Sequence, residues 1–515
     1  MRVNRMKMKQ TPKTPVYRRL SDQIKAEILS GKRAPGSSLP SERSMAQILG
    51  VHRNTVAKAY NELKAEELID SRQGVGYLVH AAEPKTTKNE IRGKISPKEG
   101  KHKKVNWKAR IKDEYQDMEV TFDDLFQRFG DKNVISMGSG IASPGIYDRE
   151  NIARVLSSLI SEEGRTQYFY SPYKGDRMLR QKIVSLLSTK GVRATTGQIQ
   201  ILTETNQALD FIVTLLLKPG DTVIMEEPVS PDAYRAMELA GARIMTIPVD
   251  RDGMDTEALE RLAAAHDPSL IFVNSSFHDP TGAILSLERR KKVLEIASRW
   301  RIPVVEEDAA SELVSEGEKL PPIKAFDTEG NVIYIYSFSL TFVPGLSLAF
   351  VVADKEVIQG LSYLVPVRMM SVDWVAQKLI ARYLDDGTYY ELLDVFRENY
   401  ARKQELICRA LDEMKPLGIR YQKPRGGVYI WCRLPDGVDS KSFINDAYKS
   451  GLALLPGYVF YPFKNGGRDH IRINYSFETE ERLDEGLHIL RELLEKELKK
   501  STGTQKTEQA GTSKI

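Results

Sequence analysis

At 515 residues the chain exceeds one ordinary domain, and a 41% hydrophobic content suffices for sizeable cores, which excludes wholesale disorder. Two cysteines, Cys408 and Cys432, exclude a disulfide framework, and no run approaches the roughly 18 apolar residues of a membrane helix, so a soluble cytoplasmic protein is expected. The net charge of +5 divides unevenly, with +15 in the first 110 residues and −10 in the rest, so a basic head suited to a polyanion joins an acidic body.

Residues 12–80 read as three helices and a hairpin. Tyr17, Leu20, Ile24 and Ile28 recur at helical spacing up to Gly31. Ser41 caps a short second helix that should bury Met45, Ile48 and Leu49 and stop at Gly50. A third helix begins near Arg53 and gathers Val56, Ala59, Tyr60 and Leu63 on one face. Leu68-Ile69 and Tyr77-Leu78-Val79 then flank a glycine-bearing tip, as in a two-stranded wing. Two helices about a tight turn followed by a wing make a winged helix-turn-helix (α+β), whose third helix enters the major groove. Its exposed start would present His52, Arg53, Asn54 and Thr55, with Lys58 one turn on; Arg forks onto guanine and Asn pairs with adenine. Arg43 and Arg72 suit phosphate or minor-groove contacts.

Residues 81–115 read as a basic linker, and 501–515 as a disordered tail. Between them, in 116–500, helical patterns alternate with short apolar runs. Strand candidates include Gln198–Leu202, Thr222–Met225, Leu270–Val273, Ile302–Val305, Val332–Tyr336 and Leu348–Val352; helix candidates include Gln207–Leu217 and Leu287–Trp300. This alternation predicts an α/β domain with a mostly parallel sheet over about 150–370. A helix-prone stretch at 371–415 leads to a smaller α+β domain over about 400–500, completed by the body's N-terminal segment.

Residues 15–79 resemble a GntR-type winged helix from end to end, with the LPSER segment, the R-x-TV helix start and the RQGxG wing in register. The resemblance implies DNA contact by Arg43, His52, Arg53, Asn54, Thr55, Arg72 and Gly74. Glu67 departs from the glycine usual before the wing.

The body resembles fold-type I pyridoxal-phosphate (PLP) enzymes over about 130–490. Gln207-Ala208-Leu209-Asp210, Pro219-Gly220-Asp221, Pro280-Thr281-Gly282, Pro344-Gly345-Leu346, Gly426-Gly427-Val428-Tyr429, Leu455-Pro456-Gly457 and Ile471-Arg472-Ile473 follow in the expected order. A GntR head on such a body is the architecture of MocR-type regulators.

The resemblance also exposes departures. Ser337-Phe338-Ser339-Leu340-Thr341 resembles the segment bearing the Schiff-base lysine, with Leu340 in the lysine's place and Ser347 where a phosphate-binding arginine is expected. Glu307 keeps the carboxylate facing the pyridinium nitrogen, but Ala310 (or Ala309) replaces the tyrosine that meets the ring hydroxyl. Asp279 replaces an asparagine, and Glu204, beside Thr205, puts negative charge where a helix N-terminus should cradle phosphate. Lys319 and Lys324 read as part of a surface turn, poor substitutes for the missing amine.

Arg472 stands where the family clamps a substrate carboxylate, and a salt bridge to Glu307 or Asp279 competes with that role. Tyr170 stands where a neighbouring subunit's tyrosine reaches the phosphate, although packing is the role expected of it here. Glu204, Asp279 and Glu307 together would suit a cationic effector. The expectation is a homodimeric regulator of double-stranded operator DNA, with no catalytic residue, no metal, no cofactor and an unknown effector; the alternative is a PLP-binding sensor or an active aminotransferase.

Overall fold

The computed structural model describes residues 16–29, 32–34, 36–65, 68–72, 76–79, 105–107, 109–111, 127–162, 164, 169–463 and 466–512. Two compact units form, Met1–Trp107 and Lys108–Ile515. No helix among the described residues is long and apolar enough to cross a membrane. The expected linker at 81–115 lies almost entirely outside the described residues, as do Glu67 and the wing tip.

In the first unit, helices α1 (Val16–Leu29), α2 (Glu42–Leu49) and α3 (Arg53–Ala65) surround a core of Leu20, Ile24, Val56, Ala59, Tyr60 and Leu63, each at most 1% exposed. The Ser41 hydroxyl accepts the Ser44 N–H at 3.2 Å and so caps α2, and Gly50 ends it at φ 67°, a left-handed turn that needs no Cβ. One expectation fails here. Ile48 is 55% exposed while Met45 and Ala46 are buried, because at 100° per residue Ile48 falls well off the face shared by 45, 46 and 49. The wing also gains a strand. β1 (Ser38–Leu39) pairs with β3 (Gly76–Val79), which pairs with β2 (Ile69–Arg72), all antiparallel. Tyr60 ties the units of this head together by donating its hydroxyl to Pro40 O at 2.9 Å.

The second unit is organised by an eight-stranded sheet. Its strands are β5 (Ile199–Leu202), β6 (Thr222–Glu227), β7 (Arg243–Asp250), β8 (Gly253–Met254), β9 (Leu270–Asn274), β10 (Val304–Asp308), β11 (Val332–Ser337) and β12 (Ala349–Val352), in the order β5-β12-β11-β10-β9-β6-β7-β8. The pairs from β11 through β7 are parallel, while β12 runs antiparallel to both of its neighbours and β8 to β7. The expected mostly parallel sheet is therefore mixed. Successive side chains of β11 go to opposite cores, Ile333 and Ile335 to one and Tyr334 and Tyr336 to the other. Both faces are covered by helices, which is why these strands read as continuous apolar runs.

The smaller domain packs β13 (Arg420–Tyr421), β14 (Tyr429–Arg433), β16 (Leu455–Pro456) and β17 (His470–Asn474) in the order β13-β14-β17-β16. The N-terminal segment joins it, since β4 (Ile135–Ser136) pairs with β15 (Leu452–Ala453) and Ile135 and Met137 share its core. Residues 501–512 of the tail expected to be disordered continue the helix Glu480–Thr512, because a helix already anchored by packed turns extends at one hydrogen bond per residue, and 513–515 lie outside the described residues.

Candidate functional site

On the head, the first turn of α3 carries His52, Arg53 and Asn54 exposed, with Thr55 half-buried beneath them. Arg53 Nε and Nη2 each lie 3.1 Å from Glu42 Oε2, and Glu42 Oε1 accepts the Tyr77 hydroxyl at 2.9 Å. An exposed pair of this kind is worth about 0–1 kcal/mol, so Arg53 can exchange it for a base edge or a phosphate. Lys58 Nζ sits 4.2 Å over the Tyr17 ring, and Arg43 projects into solvent from α2. Arg72 closes β2 opposite Gly76, while Gly74 lies outside the described residues.

In the body, a cavity of about 220 Å³ opens at the carboxyl ends of the parallel strands, the usual ligand position in such sheets. Asn274 ends β9, Glu307 and Asp308 end β10, and Ser337 ends β11. Glu204, two residues past β5, caps the helix Thr205–Leu216. Its carboxylate accepts the Thr205 N–H at 3.1 Å, the Ser337 hydroxyl at 3.4 Å and the Ser339 hydroxyl. One backbone donor of this helix N-terminus, the Thr205 N–H, is thus already directed at an anion belonging to the chain.

Of the expected pocket residues, Glu204, Thr205, Asp279, Glu307, Ala310 and Leu340 do line one cavity. Ser347 does not. It adopts φ 41° and turns its hydroxyl to Pro344 O at 3.2 Å. Tyr170 is 73% exposed, so the packing role expected of it is not found within this chain.

Arg472 lies just behind the lining. Its Nη1 is 2.7 Å from Asp279 Oδ1, its Nη2 donates to Gly138 O at 3.0 Å, and the guanidinium lies 4.2 Å from the Tyr429 ring centroid. Of the two salt bridges weighed from sequence, the one to Asp279 forms. Glu307 stays apart, its Oε2 accepting from Asn274 Nδ2 at 3.4 Å; burial foremost, and then the charge of Asp279, push its carboxyl up to about 8.

No lysine lines the cavity among the described residues. Lys324, expected on a surface turn, is buried and donates to Val332 O at 2.7 Å and Asp327 Oδ2 at 2.9 Å. Lys319 pairs with Glu312. No pattern in the sequence marks Lys190, whose side chain is fully buried with its Nζ 2.7 Å from Glu312 Oε1 and 3.4 Å from Asp308 Oδ2. Strand alternation sends the Asp308 side chain to the face opposite Glu307.

Asn274, Asp232 and Asn206, which line the cavity, and Glu226 are likewise unmarked by any sequence pattern. The available signal is positional: Asn274 is the last residue of β9, one beyond the strand expected at Leu270–Val273. Beneath the floor, Glu226 Oε2 accepts the Asn274 N–H at 2.7 Å and lies 3.6 Å from His278 Nε2. Burial pushes Glu226 up to about 8 and His278 down to about 3.

Residues 133–490 match the family model described as aminotransferase class I and II, and residues 16–79 match bacterial regulatory proteins, gntR family. An uncharacterized HTH-type transcriptional regulator of Bacillus subtilis, YisV, is 26% identical over 481 residues, which covers 92% of this chain and 94% of that protein. The probable rhizopine catabolism regulatory protein MocR of Rhizobium meliloti is 29% identical over 401 residues, 77% of each chain. Among solved structures, the α-aminoadipate aminotransferase LysN of Thermus thermophilus superposes with a TM-score of 0.70 at 30% identity, covering 76% of this chain and 99% of that one.

Proposed function

The chain belongs to the aminotransferase class I and II family and joins that domain to a gntR-family head, as MocR-type regulators do, and on that premise we propose that this DNA-binding regulator has lost PLP binding and catalysis. One observation carries the reading: the seat that would hold the cofactor's phosphate is filled by the Glu204 carboxylate, which takes the Thr205 N–H and the Ser337 and Ser339 hydroxyls for itself. A phosphate dianion there would meet a carboxylate in place of open donors, and the expected arginine is a serine whose hydroxyl turns to its own loop. Loss of a desolvated arginine–phosphate pair costs about 2–5 kcal/mol, and each 1.4 kcal/mol is about tenfold in affinity. Leu340 supplies no amine, and no cavity lysine among the described residues replaces it. The residues present do not fit PLP.

In this reading the protein works in the cytoplasm as a homodimer. The α3 helices read two operator half-sites, and the body serves as the dimerisation and effector domain. An effector alters DNA binding by favouring one of two arrangements of the dimer. The test is the visible spectrum of purified full chain with added PLP, followed by borohydride reduction. We expect no Schiff-base band and no trapped adduct; a lysine of the cavity carrying reduced pyridoxyl would overturn the reading.

A further inference from the structure

Arg53 does not stand free at the DNA face of the head. Its Nε donates to Glu42 Oε2 at 3.1 Å and its Nη2 lies 3.1 Å from the same oxygen. The arginine side chain is 67% exposed, that of Glu42 only 20%. The other carboxylate oxygen, Oε1, accepts the Tyr77 hydroxyl at 2.9 Å. Tyr77 is held in turn: it lies on β3 opposite Leu39 of β1 and Ser71 of β2, and its ring meets the buried Tyr60 ring edge-on at 4.8 Å. Burial and the bond to Glu42 push the Tyr77 phenol above its ordinary range, so it stays the donor. A largely covered carboxylate with both oxygens engaged, one of them anchored to the wing sheet, differs from a solvated ion pair whose two long side chains part freely.

The shape of the guanidinium decides what this contact does. All of its N–H groups lie in one plane as a rigid fork. Glu42 takes the edge formed by Nε and Nη2, and the end formed by Nη1 and Nη2 has no other partner among the described residues. That end is the one that forks onto guanine O6 and N7, so the pair is weak enough to break but base reading does not require it to. An unbraced arginine swings between base and phosphate, and a phosphate contact carries no sequence information. Glu42 acts against the phosphate twice, by fixing the fork and by placing a negative charge beside it.

We propose that Glu42 is a positioning residue for sequence reading: it holds Arg53 end-on to the bases, takes its own place from Tyr77 of the wing, and raises selectivity among sequences more than affinity for DNA. The inference rests on the reading of the head as DNA-binding with Arg53 at the bases. The competing role for Glu42 is structural, as the acid in the first turn of α2, where a negative charge favours the helix N-terminus. Removing a helix contact lowers stability and leaves the choice among sequences alone. Removing a brace does the reverse.

The experiment uses the full chain at one fixed salt concentration, because affinity for DNA depends steeply on salt. Wild type selects its consensus duplex from a random-sequence library. Fluorescence anisotropy then gives Kd for that duplex and for a mixed-sequence duplex of equal length. Glu42→Gln keeps the side-chain shape, removes the charge and leaves one acceptor oxygen for two donors. It should lower the ratio of the two constants about tenfold, the lower end of what one bidentate arginine–guanine pair supplies, while binding to the mixed duplex stays equal or tightens. Arg53→Ala should lower the same ratio, and adding Glu42→Gln to it should change the ratio no further, since the brace then has nothing to hold. Tyr77→Phe should shift the ratio the same way by a smaller factor. Melting curves without DNA establish that each variant folds, and Tyr77→Phe decides by the same ratio if Glu42→Gln melts below the assay temperature. A folded Glu42→Gln protein that keeps the wild-type ratio, or one whose effect persists undiminished in the Arg53→Ala background, overturns the proposal. An Arg53→Ala protein with the wild-type ratio removes instead the underlying placement of Arg53 at the bases.

Discussion

The pair beneath the cavity floor, Glu226 and His278, makes the pH dependence of stability calculable. Both side chains are buried and both are neutral at pH 7: burial pushes the acid up from 4.5 to about 8 and the imidazole down from 6.5 to about 3. Between pH 4.5 and 8 the folded state keeps a proton on Glu226 that the unfolded chain releases, so this group's contribution is complete below 4.5 and declines as pH rises towards 8. Between pH 3 and 6.5 the unfolded chain takes up a proton that buried His278 refuses, so its contribution is complete above 6.5 and declines as pH falls towards 3. The two slopes cancel between 4.5 and 6.5, leaving a plateau with a shoulder on each side. Each slope is about 1.4 kcal/mol per pH unit, so Glu226 withdraws about 2 kcal/mol between pH 6.5 and 8.

Glu226→Gln keeps an acceptor for the Asn274 N–H and has nothing to titrate. Urea unfolding of the full chain, followed by the fluorescence of Trp300, Trp374 and Trp431, measures both proteins at the two pH values. Wild type should lose about 2 kcal/mol relative to the variant between pH 6.5 and 8. Parallel pH profiles for wild type and variant would refute the assignment of a neutral acid at Glu226.

Other expectations follow from single contacts. Arg53→Ala should weaken operator binding by about 1–3 kcal/mol in a gel-shift assay while leaving the melting temperature nearly unchanged, because the removed partner is only an exposed Glu42 pair. Tyr60→Phe deletes the buried bond to Pro40 O and should destabilise the head by about 1 kcal/mol in urea unfolding. Asp279→Ala strands the buried Arg472 charge and should cost the body about 3 kcal/mol, again read by urea unfolding. Glu204→Ala vacates the helix N-terminus and frees the Ser337 and Ser339 hydroxyls, so calorimetry should detect inorganic phosphate binding that wild type lacks.

Much of this architecture was legible because local chemistry and tertiary packing agree. The spacing of Leu20, Ile24, Val56, Ala59 and Leu63 is the spacing of a helix face, and all five are buried. The helix expected at Leu287–Trp300 has those bounds, with Ser286 capping it through the Arg289 N–H. Strand β10 begins two residues and ends three residues later than expected, because its second half is Glu306-Glu307-Asp308, which no propensity assigns to a buried strand. Only the fold supplies what makes those charges tolerable: the Ile323 and Lys324 N–H groups for Glu306 and Lys190 for Asp308.

The sequence by itself determined the head, the sheet order of chemistry along the body, and the absence of an amine at position 340, since each depends on residue type at a fixed spacing. Tertiary structure alone decided what the altered residues do. That Arg472 reaches Asp279 and not Glu307, that Glu204 turns into the helix end, and that Asn274 is left with an unanswered oxygen are facts about side chains up to 193 residues apart, brought within hydrogen-bonding range by packing. Direction and distance in three dimensions fix such pairings, and no periodicity along the chain encodes them.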